Sequence, residues 1–413
     1  MEKAQLSEKY EPKLNTYLMF LIIFGGFLIF GLSENVKGPA IPLIQSELLL
    51  SESKIGFLLA LNSLGYLIAC TFTAALTNKI GLKWTGIIAF SSMTISGLLI
   101  FISQQFASLS GSFFLLYIGN GMLEIGLGIM AARIFTKNTG FMMNLAHFFY
   151  GLSSMVAPMI ASSMIHMSIF GMDLGWRGMY FFVLLLALLP IIPSIFGKFP
   201  TEELTDENAL SYSSLFRDPV AWLIVSILSF GVVSEMAVGS WLVNFLVKAY
   251  SWSLDDASGM LSLFFLFFML ARLFLGPLTD KIGYTLSIMI FAAFSGICSV
   301  TGILIGENGA VLFALAGIGI APIYPTVMAL LAKRYPNGTG TAITFTVTLM
   351  GIASVIGNLI IGFIIDMVNK FIDSNSGILG QQAGYFFIGL LSIFCSCCCI
   401  LLYLYLRKKN EVI

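Results

Sequence analysis

Twelve apolar blocks, separated by short polar stretches, run the length of this chain. Each is roughly 20 to 30 residues long, the length an α-helix needs to cross a hydrocarbon core of ~30 Å. Charged residues make up 10% of the 413 positions, against about 25% in a soluble domain, too few to coat a surface that faces water. In lipid each segment must satisfy its own backbone N–H and C=O groups, so the blocks are expected to be helices. The expected fold class is an all-α membrane protein with twelve transmembrane helices.

The spans are expected near residues 17–44, 51–77, 83–103, 106–135, 139–168 and 177–197, then 218–247, 255–280, 284–305, 309–335, 339–369 and 380–406. The first seventeen residues mix charges of both signs, and the block after them lacks a small-residue cleavage site. It therefore reads as a first span and not as a removed signal peptide. Cys70 and Cys298 sit inside apolar blocks, and Cys395, Cys397, Cys398 and Cys399 crowd the last one. They read as small packing residues and give no disulfide framework.

Twelve spans put both termini on one side. With that side taken as the cytoplasm, the inner segments hold fifteen Lys and Arg and the outer segments four: Lys54, Arg177, Lys248 and Lys370. The positive-inside rule then places both ends in the cytoplasm, in a protein expected at the cell membrane. Lys+Arg and Asp+Glu are both 21, so the net charge favours no nucleic-acid partner.

One long polar segment divides six spans from six. The expected organisation is a bundle over 1–197, a cytoplasmic linker over 198–217 and a second bundle over 218–413. The halves carry related text. "LTNKIG" at 76–81 returns as "LTDKIG" at 278–283, an offset of 202. "SENVKG" at 33–38 returns as "SEMAVG" at 234–239, and Gly140 and Gly151 return as Gly340 and Gly351. Parallel repeats of this kind are expected of a transporter whose two six-helix, pseudo-symmetric bundles rock about a central site. The duplicated loop then has a gating role: a small residue lets helices approach, while an acidic residue and a lysine pair as the inner gate closes.

Ionisable side chains inside a span are costly, at least ~2.5 kcal/mol each on insertion scales. Glu34, Lys37, Glu124, Glu235 and Arg272 all lie there. Glu34 and Lys37 are i, i+3 and would share a helix face, whereas Glu124 and Glu235 have no basic residue within a turn. Three carboxylates against two bases leave one negative charge uncompensated, which favours a carboxyl that takes up and releases a proton. In span 5, Asn144, His147 and Gly151 form an i, i+3, i+7 stripe, either for a polyhydroxyl ligand or for bonding between helices. Trp241 and Asn244 in span 7 are candidates of the same kind, although anchoring at the outer interface is the somewhat commoner role for such a tryptophan. "CSCCC" and "LFFLFFML" read as lipid-facing or packing surface.

"GPLTDKIGY" resembles the signature loop of the major facilitator superfamily, G-x-x-x-D-K/R-x-G. The first copy departs from it, with Ala74 for the glycine and Asn78 for the aspartate. "GMLEIGLGIM" followed by "NLAHFFYGLSSMVAP" resembles spans 4 and 5 of its fucose and glucose/mannose permease branch of sugar–proton symporters. "EMAVGSWLVNFL", "ARLFLGPLTD" and "GIGIAPIYPTVMALLAKRY" resemble the corresponding spans 7, 8 and 10. The resemblance implies the major facilitator fold, Glu124 as a proton-coupling carboxylate, and Asn144 and His147 as cavity-lining groups. The branch carries an aspartate in span 1, where this chain has Lys37 close by and Glu34 a turn earlier.

The expectation is a proton-coupled importer of a monosaccharide or similar small polar solute. Its proton-coupling residues are Glu124, then Glu235, with Glu34 held by Lys37. Its solute-binding residues are Lys37, Asn144, His147, Trp241 and Asn244. Its gating residues are Asn78, Lys79, Gly81, Arg272, Gly276, Asp280, Lys281 and Gly283. No G-x-x-x-x-G-K-[ST] loop is present, so the energy would come from an ion gradient. A proton-antiporting exporter of amphipathic compounds is the alternative within transport, favoured by 37 Phe and 20 Met. A transport-dead sensor or an intramembrane enzyme is the alternative outside it. The two histidines, His147 and His166, share one span and build neither a catalytic triad nor a metal site. The expected partners are a small solute, a proton and the lipid bilayer, with no cofactor and no nucleic acid, in a monomer.

Overall fold

The computed structural model describes residues 2–135, 139–169, 171–199, 211–372 and 376–409. Side chains are described from residue 14 onward within these ranges, apart from 132, 139–141, 144, 169, 172, 277 and 280. The helices in chain order are α1 (Glu2–Asn35), α2 (Lys37–Glu47), α3 (Glu52–Ile102), α4 (Phe106–Ile134) and α5 (Thr139–Ile165). A two-residue hairpin, β1 (Ser168–Ile169) against β2 (Met172–Asp173), leads to α6 (Gly175–Leu185), α7 (Leu188–Phe196) and α8 (Tyr212–Arg217). Then come α9 (Pro219–Tyr250), α10 (Leu254–Ile282), α11 (Tyr284–Ile305), α12 (Val311–Ile320), α13 (Ile323–Arg334), α14 (Thr339–Phe371) and α15 (Ile378–Lys408).

Among the described residues, eleven helical stretches are long and apolar enough to cross a membrane. One of them counts twice. Helix α3 runs 51 residues, about 76 Å at 1.5 Å per residue, which exceeds two hydrocarbon cores. Its backbone leaves helical geometry at Gly81, at φ 84 and ψ 159, and the two halves are the expected spans 2 and 3. With that division the architecture is the expected twelve-helix one.

Proline sets the breaks inside spans. Pro39 has no N–H to give the carbonyl four residues back, and α1 ends at that residue, Asn35. The first span is therefore two helices and not one. The i, i+3 spacing of Glu34 and Lys37 straddles the break at Val36, so the single helix face expected for them is interrupted. Likewise Pro322 and Pro325 divide the expected tenth span into α12 and α13.

The chain forms two compact units. The first contains Met1–Val36, Leu64–Ala157 and Ser163–Leu204; the second contains Lys37–Ser63, Pro158–Ser162 and Thr205–Ile413. Inside the first, Tyr180 packs edge-on against Phe113 at 5.1 Å between ring centroids. A Cβ on Gly119 of α4 would stand 3.1 Å from the Ala89 carbonyl of α3. Inside the second unit the same relation recurs 200 to 202 residues on: Gly319 of α12 abuts the Phe291 carbonyl of α11. The internal repeat thus extends from sequence to helix–helix contact.

The linker carries more structure than expected. Residues 200–210 lie outside the described residues, but α8 follows, and its Leu215 is buried in the apolar core of the second unit. Asp218 then caps α9, accepting the Val220 N–H at 2.9 Å, with Pro219 as the first helical residue. The "CSCCC" and "LFFLFFML" stretches are packing surface in large part. Cys395, Cys399, Phe264, Phe265 and Phe268 are buried, and Cys397 is exposed.

Candidate functional site

In the first unit the last turn of α1 brings Glu34 against α4. Tyr117 donates its hydroxyl to Glu34 Oε1 at 3.3 Å, and Asn120 donates Nδ2 to Oε2 at 3.4 Å. The Asn120 side chain is in turn fixed by Ser33, whose hydroxyl donates to its Oδ1 at 2.9 Å. These donors come from one face of α4, Tyr117 and Asn120 being i, i+3. Glu124, one turn further along α4, is half-buried. On α5, His147 is exposed, with its ring 5.2 Å from that of Phe27. The side chain of Asn144 lies outside the described residues.

In the second unit Glu235 has a base in space that the sequence does not place within a turn. Arg272 of α10 brings Nη2 to 3.8 Å from Glu235 Oε1. Its Nε donates to the Ala321 carbonyl at 3.1 Å, and its guanidinium lies 4.2 Å over the Phe268 ring. The reason is local. Pro325 lacks the N–H that would have reached the carbonyl of Ala321, and the arginine supplies a donor in its place. Arg272, expected among the gating residues, is thus a mid-span partner of Glu235 and of the break between α12 and α13.

Trp241 and Asn244 of α9 lie one turn apart and are closed into the second unit, 2% and 0% exposed. The Trp241 indole N–H and the Asn244 Oδ1 have no hydrogen-bond partner among the described residues. Asn244 uses its other end on a residue absent from the expected site, donating Nδ2 to Glu52 Oε2 at 3.3 Å. Glu52 is 4% exposed, and its other oxygen takes Lys248 Nζ and Gln381 Nε2, each at 2.6 Å. Lys248 also donates to Gln45 Oε1 at 2.6 Å. Lys37, at the start of α2, is buried in the same unit.

Nothing local marks Glu52. A glutamate in the first turn of a helix after a serine reads as ordinary end chemistry, and its partners lie 192 to 329 residues away. The available signal was a pair of charges, Glu52 and Lys248, at the same end of two spans in the two halves.

The two copies of the duplicated loop share one backbone geometry. Gly81 has φ 84 and ψ 159; Gly283 has φ 96 and ψ 144. That region is essentially closed to residues with a Cβ, so the repeated glycine is required by conformation. Close approach of helices, the expected reason for small residues here, is not seen among the described residues. No atom of the described residues lies within 4 Å of where a Cβ on Gly81, Gly276 or Gly283 would stand. Asn78, Lys79 and Lys281 are exposed, and the side chain of Asp280 lies outside the described residues.

Residues 23–253 and 233–412 match the Major Facilitator Superfamily. The chain is 21% identical to the uncharacterized MFS-type transporter YceJ of Bacillus subtilis (strain 168) over 86% of its own length and 90% of the relative's. Its fold resembles that of a mutant of the nucleoside transporter NupG, with TM-score 0.77 and 13% identity over 94% of this chain and 100% of the other. A D-xylose-proton symporter aligns with TM-score 0.73 and 16% identity over 91% and 97%. Helix count, duplicated loop and sequence match agree over almost the whole length: the chain belongs to the Major Facilitator Superfamily and is a membrane transporter, not an enzyme.

Proposed function

We propose that the chain is a secondary active transporter that works by alternating access and couples uptake of a monosaccharide or similar small polar solute to proton entry. The observation that carries the solute class is that two of the unsatisfied polar atoms on α9, the Trp241 N–H and the Asn244 Oδ1, lie one turn apart. A buried polar group left unpaired costs roughly 1–3 kcal/mol. A solute hydroxyl both donates and accepts, so a polyhydroxylated molecule can pair with both atoms across one helical turn. Lys37, Asn144 and His147 complete the proposed solute-binding set. The motifs of spans 4 and 5 favour the fucose and glucose/mannose branch, and a fold shared with a D-xylose-proton symporter is in keeping with it.

For the proton we choose Glu124, with Glu235 second and Glu34 third. Arg272 beside Glu235 gives that carboxylate a standing ion-pair partner, and Glu34 is engaged by Tyr117 and Asn120. Glu124 occupies the position that the branch resemblance marks for coupling. The loops containing Asn78, Lys79 and Gly81, and Gly276, Asp280, Lys281 and Gly283, form the proposed inner gate. The lysine and arginine bias supports cytoplasmic termini in a plasma-membrane protein, which we take to be a monomer.

The test is uptake of a labelled sugar panel into proteoliposomes, with and without an imposed pH gradient. Concentrative uptake of a sugar only when the outside is acidic supports the reading. Uptake indifferent to the gradient, or no sugar taken up at all, contradicts it.

A further inference from the structure

Residues 37–63 belong in sequence to the first repeat, yet they form part of the second unit. Three kinds of contact hold them there. The first is a seam of glycine: a Cβ on Gly56 of α3 would stand 2.6 Å from the Asn358 carbonyl of α14, and one on Gly362 of α14 would strike the Glu52 carbonyl. The second is a helix cap supplied from far away in sequence. The first N–H groups of a helix have no partner within it; those of Glu52 and Ser53 donate to Asp366 of α14 at 3.0 and 2.8 Å. The third is the buried cluster in which Glu52 takes Lys248, Gln381 and Asn244, while Lys248 also reaches Gln45.

These contacts differ in how they respond to separation. The glycine seam is a short-ranged backbone contact, and Asp366 and the α3 N-terminus can each be rehydrated. The Glu52–Lys248 pair is different: the lysine is part-exposed but Glu52 is buried, so removing the lysine leaves a buried carboxylate without its base. Two of the amides that complete it, Gln381 and Asn244, come from α15 and α9, so a single carboxylate ties α3 to both. We infer that Glu52 is the bolt of the outer gate, a positioning residue whose ion pair with Lys248 holds residues 37–63 against α9, α14 and α15 in the outward-closed state. The inference rests on the alternating-access reading above, and "outer" means the membrane face opposite the duplicated loops.

The experiment measures the gate and not transport. In a chain whose own six cysteines are replaced, spin labels are placed at Lys54→Cys on α3 and Lys370→Cys on α14, both exposed positions. The distance distribution is then recorded for the parent, Glu52→Gln, Lys248→Gln and the double variant. The parent should show mainly one short distance. Either single change should raise the ratio of long to short distances about tenfold, the equivalent of about 1.4 kcal/mol. The double variant should do no more, because both changes remove the same bolt. Should these variants fail to fold, Glu52→Asp keeps the charge on a shorter arm and should give a smaller shift of the same sign. Reaction of Ser63→Cys, a buried position on α3, with an impermeant maleimide should quicken in the same order.

Distances and reactivity unchanged in every folded variant overturn the bolt. A double variant that opens much further than either single also overturns it, since the two residues would then act separately. Opening on release of Glu52 in a protein that takes up no sugar keeps the bolt and removes the proposed substrate. Gradient-driven uptake in the parent with unmoved distances in all variants does the reverse.

Discussion

Gly81 and Gly283, 202 residues apart, hold the same backbone conformation, φ 84, ψ 159 and φ 96, ψ 144. Each sits where one membrane-crossing helix ends and the next begins, and no atom of the described residues lies within 4 Å of where a side chain would start. The shared residue is thus explained by shared geometry, without appeal to contact.

That explanation separates three glycines of the duplicated loops. Gly81→Ala and Gly283→Ala should each lose about 1–3 kcal/mol through backbone strain alone, lowering the thermal unfolding midpoint in detergent. Gly276 lies inside α10, where no atom of the described residues approaches the place of a Cβ, and alanine there should be neutral or gain up to about 1 kcal/mol. A loss of stability at Gly276 equal to that at Gly283 would contradict the account.

Arg272 uses two nitrogens of its fork, Nε in a hydrogen bond to the Ala321 carbonyl and Nη2 in an ion pair with Glu235 at 3.8 Å, a spread that the single ammonium of a lysine does not reproduce. Arg272→Lys should therefore lose monodisperse protein nearly as fully as Arg272→Gln. Glu235→Gln should be the milder change, because the arginine keeps the carbonyl and the Phe268 ring. Yields in size-exclusion chromatography rank the three, and a well-behaved Arg272→Lys beside a lost Glu235→Gln would reverse the assignment.

At the start of α9 Tyr335 donates to Asp218 Oδ2 at 2.7 Å, while the other oxygen of Asp218 caps the helix. Burial and the bond to Asp218 hold the Tyr335 phenol well above the usual tyrosine range. A group whose pKa is raised on folding gives full stability below its unfolded pKa of about 10 and loses it only as pH rises further. The contact should thus be constant between about pH 6 and pH 9 and weaken in stronger alkali, a weakening absent from Tyr335→Phe. Asp218→Ala should cost about 1 kcal/mol or more through the lost cap, and Asp218→Asn much less; thermal unfolding against pH reads both.

Topology is checked by labelling. A cysteine near Lys198 should react only with reagents that reach the cytoplasm, and one near Lys54 should react from outside. Reaction of a cysteine at the C-terminus from outside would break the proposed orientation.

Much of this fold is legible in the sequence because lipid makes each span self-sufficient in backbone hydrogen bonds. A run of apolar residues therefore marks its own helix. The break at Val36 was legible in principle from Pro39, but residues 17–44 have the length of one span and so read as one helix. What the sequence conceals is partnership over distance. Glu235 stands alone on its own helix and meets Arg272 from the next one. Glu52 looks like an end residue and is the centre of a buried cluster. Arg272 resembles part of a gating motif by position, and proline chemistry elsewhere claims its donors. Trp241, by depth a stacking residue or an interface anchor, is closed into the core.

One intramembrane carboxylate, Glu124, is the proposed proton carrier. Glutamine at that position keeps the shape and most of the hydrogen bonding while fixing the neutral state. Exchange of labelled solute across equal concentrations and uptake driven by a pH gradient are measured in the same vesicles for Glu124→Gln, Glu235→Gln and Glu34→Gln. Glu124→Gln should exchange solute at a rate close to the parent's and accumulate none, since the empty carrier can no longer release and recapture a proton. Accumulation by Glu124→Gln at the parent's level, with Glu235→Gln alone uncoupled, would contradict the account and place the carrier in the second repeat.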